Sequence, residues 1–169
     1  LIMESFPHVY YKYNPVYYIT NTSKSLFRGI EHIDDDVIWI NGDVIFDEKI
    51  IETAVQEKGN IVLVNSAHCG EEEVKYTTNQ EGYITAISKT VVQAQGEAVG
   101  INIISKADIQ EFRESLNECE DHDYFEKGIE KMVEKGKKFK AVEISDFRCI
   151  EIDFQADWEI AVGLFNEEE

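Results

Sequence analysis

The sequence is poor in positive charge. Lysine and arginine total 16 against 34 aspartates and glutamates, which gives a formal net charge of -18. Proteins that bind the phosphate backbone of nucleic acids, or an anionic lipid surface, depend on clustered lysine and arginine. The charge therefore argues against a nucleic-acid-binding protein and against one that binds an anionic membrane. We interpret the acidic excess mainly as a solvated surface that favours solubility.

Cysteine and long apolar runs are scarce as well. The three cysteines, Cys69, Cys119 and Cys149, are widely spaced and form no C-x-x-C pair, which argues against a disulfide framework or a zinc site. Reduced thiols are typical of the cytoplasm, so we expect a cytoplasmic protein. No apolar run approaches the ~20 residues of a membrane-spanning helix. The sequence also opens without the basic lead and apolar core of a signal peptide.

Apolar residues are nevertheless plentiful, at 43% of 169 residues, so we expect one globular domain over residues 1–169 with a real core. Periodicity and turn signals mark its elements. Asn21 or Thr22 can cap one helix, and Asp47 can cap the next. The pattern predicts strands at 9–13, 37–40, 61–64, 74–78, 83–87, 99–104 and 139–144, and further helices at 107–119, 124–135 and 157–165.

The alternation of strands and helices in the first half predicts an α/β fold. Its sheet should be mixed and mostly parallel, with helices on both faces. The continuous apolar run of residues 37–40 is typical of a strand that is covered on both faces. Residues 74–78 and 83–87 alternate around a polar turn, so they are expected to form a hairpin.

Two carboxylates follow short apolar runs. Asp43 comes after residues 37–40 and the turn-forming Asn41-Gly42, and Asp153 comes after Cys149-Ile150-Glu151-Ile152. The carboxyl ends of strands are where α/β sheets bind ligands, and two such carboxylates can hold a divalent metal against phosphate oxygens. Simpler interpretations stay open, because Asn-Gly-Asp is a common turn and Asp153 can instead cap the last helix.

Several short motifs occur in a particular order along almost the whole chain. They are Asn14-Pro15 with Tyr17 or Tyr18 and Asn21, then Ser25-Leu26, Asn41-Gly42-Asp43, Ile87-Ser88-Lys89, residues 96–101, and Glu151-Ile152-Asp153 with Asp157 and Ala161. As an ordered set they resemble the sugar-phosphate and phosphocholine nucleotidyltransferases, in particular the cytidylyltransferase-like branch. The resemblance implies a Rossmann-like sheet of the nucleotide-diphospho-sugar transferase type.

The resemblance also implies an activity and a site. A nucleotidyl group, CMP from CTP, would pass to a phosphorylated acceptor such as phosphocholine or a phosphonate, with release of pyrophosphate. Asp43 and Asp153 would bind Mg²⁺ and, with Lys89, would form the catalytic set. The implied substrate-binding residues are Asn21, Ser25, Tyr18, Glu97, Gly100 and Glu151. A sugar-1-phosphate acceptor and a non-catalytic nucleotide-binding or interaction domain are the alternatives.

Two departures from the family pattern bear on these expectations. The glycine-rich phosphate loop is absent, so the chain would begin about two β-α units into the family fold, with a sheet edge unpaired and nucleotide bound weakly. An upstream fused domain and a homo-oligomer both stay open. Cys149 stands where many choline-type relatives carry tryptophan, which puts a choline cage in doubt. The tyrosines at 10, 11, 13, 17 and 18 either supply such a cage by cation–π attraction or simply pack on a strand.

Overall fold

The computed structural model describes residues 2–67, 69–70 and 72–166. Six helices and eight strands follow one another along these residues. In chain order they are α1 (Ile2–Ser5), α2 (Thr22–Ile30), β1 (Val37–Ile40), β2 (Val44–Phe46), α3 (Lys49–Gln56), β3 (Asn60–Asn65), β4 (Lys75–Thr78), β5 (Ile84–Ser88), β6 (Gly96–Ile104), α4 (Ile109–Asn117), α5 (Glu126–Glu134), β7 (Phe139–Glu143), β8 (Cys149–Glu151) and α6 (Gln155–Phe165).

The main sheet has six strands in the order β5-β4-β6-β3-β7, with β1 also paired to β6. β1, β3, β4 and β7 run in one direction, and β5 and β6 run in the other. Only the β3–β7 ladder of this sheet is parallel among the described pairs. β6 pairs antiparallel with β1, β3 and β4, and β5 pairs antiparallel with β4. The expected mixed α/β sheet is confirmed, and the reversed β6 makes most of its ladders antiparallel.

Helices cover both faces of this sheet. On one face α2, α4 and α5 bury apolar side chains against β1, β3 and β5, and Phe112, Leu116 and Met132 are fully buried there. On the other face Ile50 and Ala54 of α3 pack against β3, β6 and β7. The expectation of helices on both faces is therefore confirmed.

β1 differs from its expected environment. Val37 and Trp39 are buried, but Ile38 and Ile40 point to the other face and stay 37% and 42% exposed. Among the described residues β1 pairs with β6 alone, so its second edge is open, as the resemblance implied. The prediction that both faces of this one strand, residues 37–40, are covered was wrong, because apolar composition cannot show whether a helix lies over each face of a strand.

The predicted strand at residues 9–13 is not formed. Tyr10 and Tyr13 are exposed, and no strand pairs with this segment among the described residues. The Tyr11 hydroxyl instead donates to the carbonyl oxygens of Ile2 and Phe6, at 3.2 and 2.9 Å, which holds the segment against α1. Aromatic and β-branched residues favour strands only where a neighbouring strand can accept them.

The two predicted helix caps have different outcomes. The Asn21 side chain accepts a hydrogen bond from the Thr22 backbone N–H at 2.8 Å, so Asn21 is confirmed as the cap of α2. The cap position of α3 is Glu48, without a side-chain hydrogen bond, so the prediction that Asp47 caps α3 was wrong. Asp47 instead accepts hydrogen bonds from the backbone N–H and the Nε of Arg148, both at 2.9 Å. This lowers the pKa of Asp47 below its usual value.

β2 and β8 form a separate two-stranded antiparallel ribbon beside the main sheet. Val44 pairs with Glu151 and Phe46 with Cys149, and the Ile152 N–H donates to the Asp43 carbonyl oxygen at 2.9 Å. The short β2 strand was not predicted, because its three residues follow a turn too closely to show a pattern. The ribbon joins two parts of the chain that are far apart in sequence. Among the described residues, no helix combines the length and apolar character needed to cross a bilayer.

Candidate functional site

Three carboxylates meet at the end of the β2–β8 ribbon. Asp43, Glu151 and Asp153 each offer one oxygen, and these oxygens all lie within 4.8 Å of one another. The strand register brings them together. Val44 pairs with Glu151, so Asp43, just before Val44, lies across from the residues that follow Glu151. The expectation that folding brings Asp43 and Asp153 together is confirmed. Asp157, rather than Asp153, accepts the hydrogen bonds from the backbone N–H groups at the start of α6.

Gly100 and Asn41 fix the position of Glu151. Asn41 follows β1, its backbone N–H donates to the Gly100 carbonyl oxygen at 2.9 Å, and its side chain hydrogen-bonds Glu151. Gly100 has a φ of +73°, and a Cβ there would lie 2.6 Å from the Asn41 Nδ2. Only glycine fits this conformation and this close approach without strain. Gly100, which the resemblance implied as a substrate-binding residue, therefore also supports the carboxylate cluster through Asn41.

The cluster lies in a cleft of about 430 Å³ between the ribbon, β6 and the start of α5. The described residues that line this cleft carry six carboxylates and one cation, Lys89. The other carboxylates are Glu72, Glu73 and Glu126. Such an excess of negative charge in one cleft favours a bound cation.

Glu151 responds to this excess of charge. Burial, together with the charges of Asp43, Glu73 and Asp153, raises the pKa of Glu151 to about 7, although the hydrogen bond from Asn41 opposes the shift. A carboxyl with a raised pKa among like charges is typical of a functional site. Oxygen ligands from one or two carboxylates are those that Mg²⁺ prefers, so the residues present fit this ion.

Glu126 forms another wall of the cleft, at the first residue of α5. It is only 8% exposed, and its Oε2 has no hydrogen-bond partner among the described residues. Burial raises the pKa of Glu126 to about 7; the negative charge of Glu151 adds to the shift, while its own backbone N–H and Lys89 oppose it. A buried carboxyl without a full set of partners destabilises the empty protein.

This burial gives Glu126 a distinctive pH dependence. Between the ordinary carboxyl pKa of 4.5 and the raised value of about 7, the folded chain binds more protons here than the unfolded chain. The contribution of Glu126 to stability is therefore fully present below pH 4.5 and is lost as the pH rises to about 7. Glutamine cannot ionise. We therefore expect the melting temperature of Glu126→Gln, measured relative to wild type at the same pH, to increase by roughly 2 °C or more as the pH rises from 4.5 to 8.

The matched control for this prediction is Glu134→Gln, on the same helix but exposed. It removes the same charge without touching the cleft, so its melting temperature relative to wild type should change much less with pH. The measurement is a calorimetric melt of the three proteins at several pH values. A difference between Glu126→Gln and wild type that is constant with pH would contradict the raised pKa.

The predicted site residues fall into three groups. Asp43, Asp153, Glu151, Lys89 and Gly100 all line the cleft. Glu97 lines a neighbouring cleft, and Glu151 and Asp153 line both clefts. Three residues line neither cleft: Asn21 caps α2, the Ser25 hydroxyl accepts from the Asn14 Nδ2 at 3.1 Å, and Tyr18, 71% exposed, packs edge-on against Tyr17.

Sequence reasoning missed residues on the α5 side of the cleft. Tyr124, Phe125 and Glu126 line it, and Thr22 completes that wall by accepting a hydrogen bond from the Phe125 backbone N–H at 3.0 Å. The signal was weak, because Glu126 follows an acidic loop and looks like an ordinary first-turn residue of a helix. Neither burial nor a missing partner can be read from that position.

Cys149 also lies away from this cleft. It lines the neighbouring cleft beside Val44 and Phe154, and burial raises the pKa of its thiol to about 12. A thiol with a raised pKa is a poor nucleophile, so Cys149 acts as an apolar residue there.

The chain has the fold of solved nucleotidyltransferase structures. No family model and no curated protein matches the sequence. Among solved structures, the chain is similar to the CTP:phosphocholine cytidylyltransferase from Streptococcus pneumoniae, with a TM-score of 0.74 and 13% identity, over 96% of this chain and 71% of that one.

Two further solved structures have the same fold. The inositol-1-phosphate CTP transferase from T. maritima gives a TM-score of 0.68 and 20% identity, over 82% of this chain and 58% of that one. The nucleoside-diphosphate-sugar pyrophosphorylase from Vibrio cholerae gives 0.62 and 11% identity, over 82% and 63%. The chain thus spans less than two thirds of the length of these two proteins.

Proposed function

We propose that residues 1–169 form one nucleotidyltransferase domain whose activity depends on Mg²⁺. It would transfer a nucleotidyl group, CMP from CTP, to a small phosphorylated acceptor and release pyrophosphate. The observation that carries the proposal is the meeting of Asp43 and Asp153 with Glu151 at one cleft. The likeness to nucleotidyltransferase structures supports it through the fold.

The residues of the cleft have separate roles in this reaction. A phosphate or phosphonate oxygen of the acceptor attacks the α-phosphorus of the triphosphate, and the bond to pyrophosphate breaks as the new P–O bond forms. Asp43 and Asp153 would hold Mg²⁺, which supplies charge neutralisation at the phosphate oxygens. Lys89, the one cation among the described lining residues, would bind the negative end of the acceptor. Asn41 keeps Glu151 in place through its hydrogen bond.

Two acceptor classes fit the fold. A phospho- or phosphono-amine is our preferred acceptor, because the cleft is rich in carboxylates that attract a cationic group. A sugar-1-phosphate is the second candidate, which is favoured by the inositol-phosphate and nucleotide-sugar enzymes among the similar structures. Lys89 would serve either acceptor, since both carry a phosphate or phosphonate.

Pyrophosphate release tests the proposal. The longest natural polypeptide that contains these residues is incubated with CTP or UTP at millimolar Mg²⁺ and a panel of amine and sugar phosphates. We expect release with CTP that depends both on Mg²⁺ and on one class of acceptor. Release with sugar-1-phosphates alone would favour the second candidate. No release with any pair would contradict catalysis, and nucleotide binding without turnover would identify a non-catalytic nucleotide-binding domain.

A further inference from the structure

The cleft also holds a pair of opposite charges outside the cluster of Asp43, Glu151 and Asp153. Glu126 is nine-tenths buried and its Oε2 lacks a hydrogen-bond partner among the described residues, yet the side chain lines the cleft. Lys89 lines the same cleft and lies close enough to Glu126 for their charges to interact. Rotation of a glutamate about its last torsion exchanges the two oxygens, so either one can meet a donor that enters.

The aromatic residues of the cleft do not form an open cage. Tyr124 and Phe125 are the aromatic side chains among its described lining residues. The Nζ of Lys89 already lies 5.0 Å from the centroid of the Tyr124 ring. Phe125 is buried and packs edge-on against Trp39, with ring centroids 5.7 Å apart. A quaternary ammonium is bound mainly through several free ring faces, and here Lys89 already lies over one face of Tyr124 while Phe125 is buried.

A primary ammonium suits this part of the cleft far better. It carries three N–H donors, while a quaternary ammonium carries none, so only the primary ammonium can satisfy the unpartnered oxygen of Glu126. A hydrogen bond between an ammonium and a carboxylate is also among the stronger protein hydrogen bonds. An acceptor with a phosphate at one end and an ammonium at the other matches the charges of Lys89 and Glu126 in turn.

We infer that Glu126 selects the acceptor by binding a primary ammonium at the end opposite the phosphate or phosphonate. The acceptor is then a short aminoalkyl phosphate or phosphonate, and quaternary analogues are bound poorly. This inference rests on the proposed function, because it assigns the second end of the same acceptor.

Three ligands with a common phosphate end separate the chemistries. Phosphoethanolamine carries a primary ammonium, phosphocholine a quaternary ammonium, and propyl phosphate a methyl group of similar size. Each is titrated calorimetrically at pH 8 into wild type, Glu126→Gln and the control Glu134→Gln, with Mg²⁺ and α,β-methylene CTP present. Binding of that nucleotide analogue is measured first in every protein.

We expect wild type to bind phosphoethanolamine about tenfold or more tightly than the other two ligands, as a charge-assisted hydrogen bond implies. Glu126→Gln should lose about tenfold in affinity for phosphoethanolamine and change by less than about twofold for phosphocholine and propyl phosphate. Glu134→Gln should behave as wild type, because it lies on the exposed part of the same helix. A loss confined to one ligand is not what a general structural defect would produce.

The contrary outcomes are distinct. If wild type binds the analogue but prefers phosphocholine, or binds the three ligands alike, the inference is overturned and the proposed function stands. The inference is also overturned, and the proposed function stands, if Glu126→Gln weakens the binding of all three ligands equally. If wild type does not bind the nucleotide analogue, the inference on Glu126 and the proposed nucleotidyltransferase function both fail. The ligand preference of wild type decides the matter even if a variant does not fold.

Discussion

Asp43→Asn is expected to lower Mg²⁺-dependent turnover by on the order of 10²–10³-fold, as does the loss of one electrostatic group in other active sites. Asparagine keeps the size of the side chain just before β2, but it removes one negative charge from the cluster of three carboxylates. The loss should appear mainly in kcat. The KM for the acceptor should change little, because Lys89 and Glu126 are untouched.

Metal affinity gives a second readout for this variant that does not need turnover. Titration with Mn²⁺, followed by its electron paramagnetic resonance signal, should show weaker binding to Asp43→Asn than to wild type. Asp146→Asn removes the same charge at an exposed position outside the cluster, so it should bind Mn²⁺ as wild type does. Equal Mn²⁺ affinity in wild type and Asp43→Asn would remove the basis for a metal role of Asp43.

Phe112→Ala is expected to have the largest effect on stability, about 3–5 kcal/mol, which is typical of a fully buried phenylalanine. Phe112 of α4 is 0% exposed and stacks on Trp39 of β1 with ring centroids 5.1 Å apart. Trp39 also contacts Phe125, which lies beside Glu126. This aromatic trio anchors both walls of the cleft, since Asn41 and Asp43 follow β1 and Glu126 follows Phe125.

Urea denaturation of wild type, Phe112→Ala and Phe112→Leu measures this effect. Leucine refills most of the volume, so Phe112→Leu should cost clearly less than the alanine variant. Wild type and the leucine variant should have equal m-values if the unfolded states are alike. A cost below about 1 kcal/mol for Phe112→Ala would show that the trio does not anchor the core.

The sequence predicted those elements whose pattern is local. The hairpin of β4 and β5, the helices α4 and α5, and the strands β3 and β7 all have clear periodicity and turn residues, and the structure has them within a few residues of the expected bounds. The failures arose where the outcome depends on distant partners. Residues 9–13 favour a strand by composition but have no strand to pair with, and Asp47 bonds Arg148 instead of capping α3.

The site was predictable to the extent that strand ends could be located. Asp43 and Asp153 each follow a recognisable apolar run, and the family resemblance paired them correctly. Glu126 and the supporting Asn41 were out of reach, because their importance lies in burial, a missing partner and one close approach to Gly100. Such properties arise only when the α5 helix, β6 and the ribbon have come together.

If Asp43 and Asp153 bind an ion, the β2–β8 ribbon would link that binding to folding. Its two strands belong to distant parts of the chain, so an ion held by Asp43 and Asp153 would act as a reversible cross-link between them. Because such an ion binds the folded chain alone, mass action transfers its binding free energy to folding. Amide hydrogen exchange in the ribbon, and cleavage by proteases after Phe46 or before α6, should then slow as the ion concentration rises.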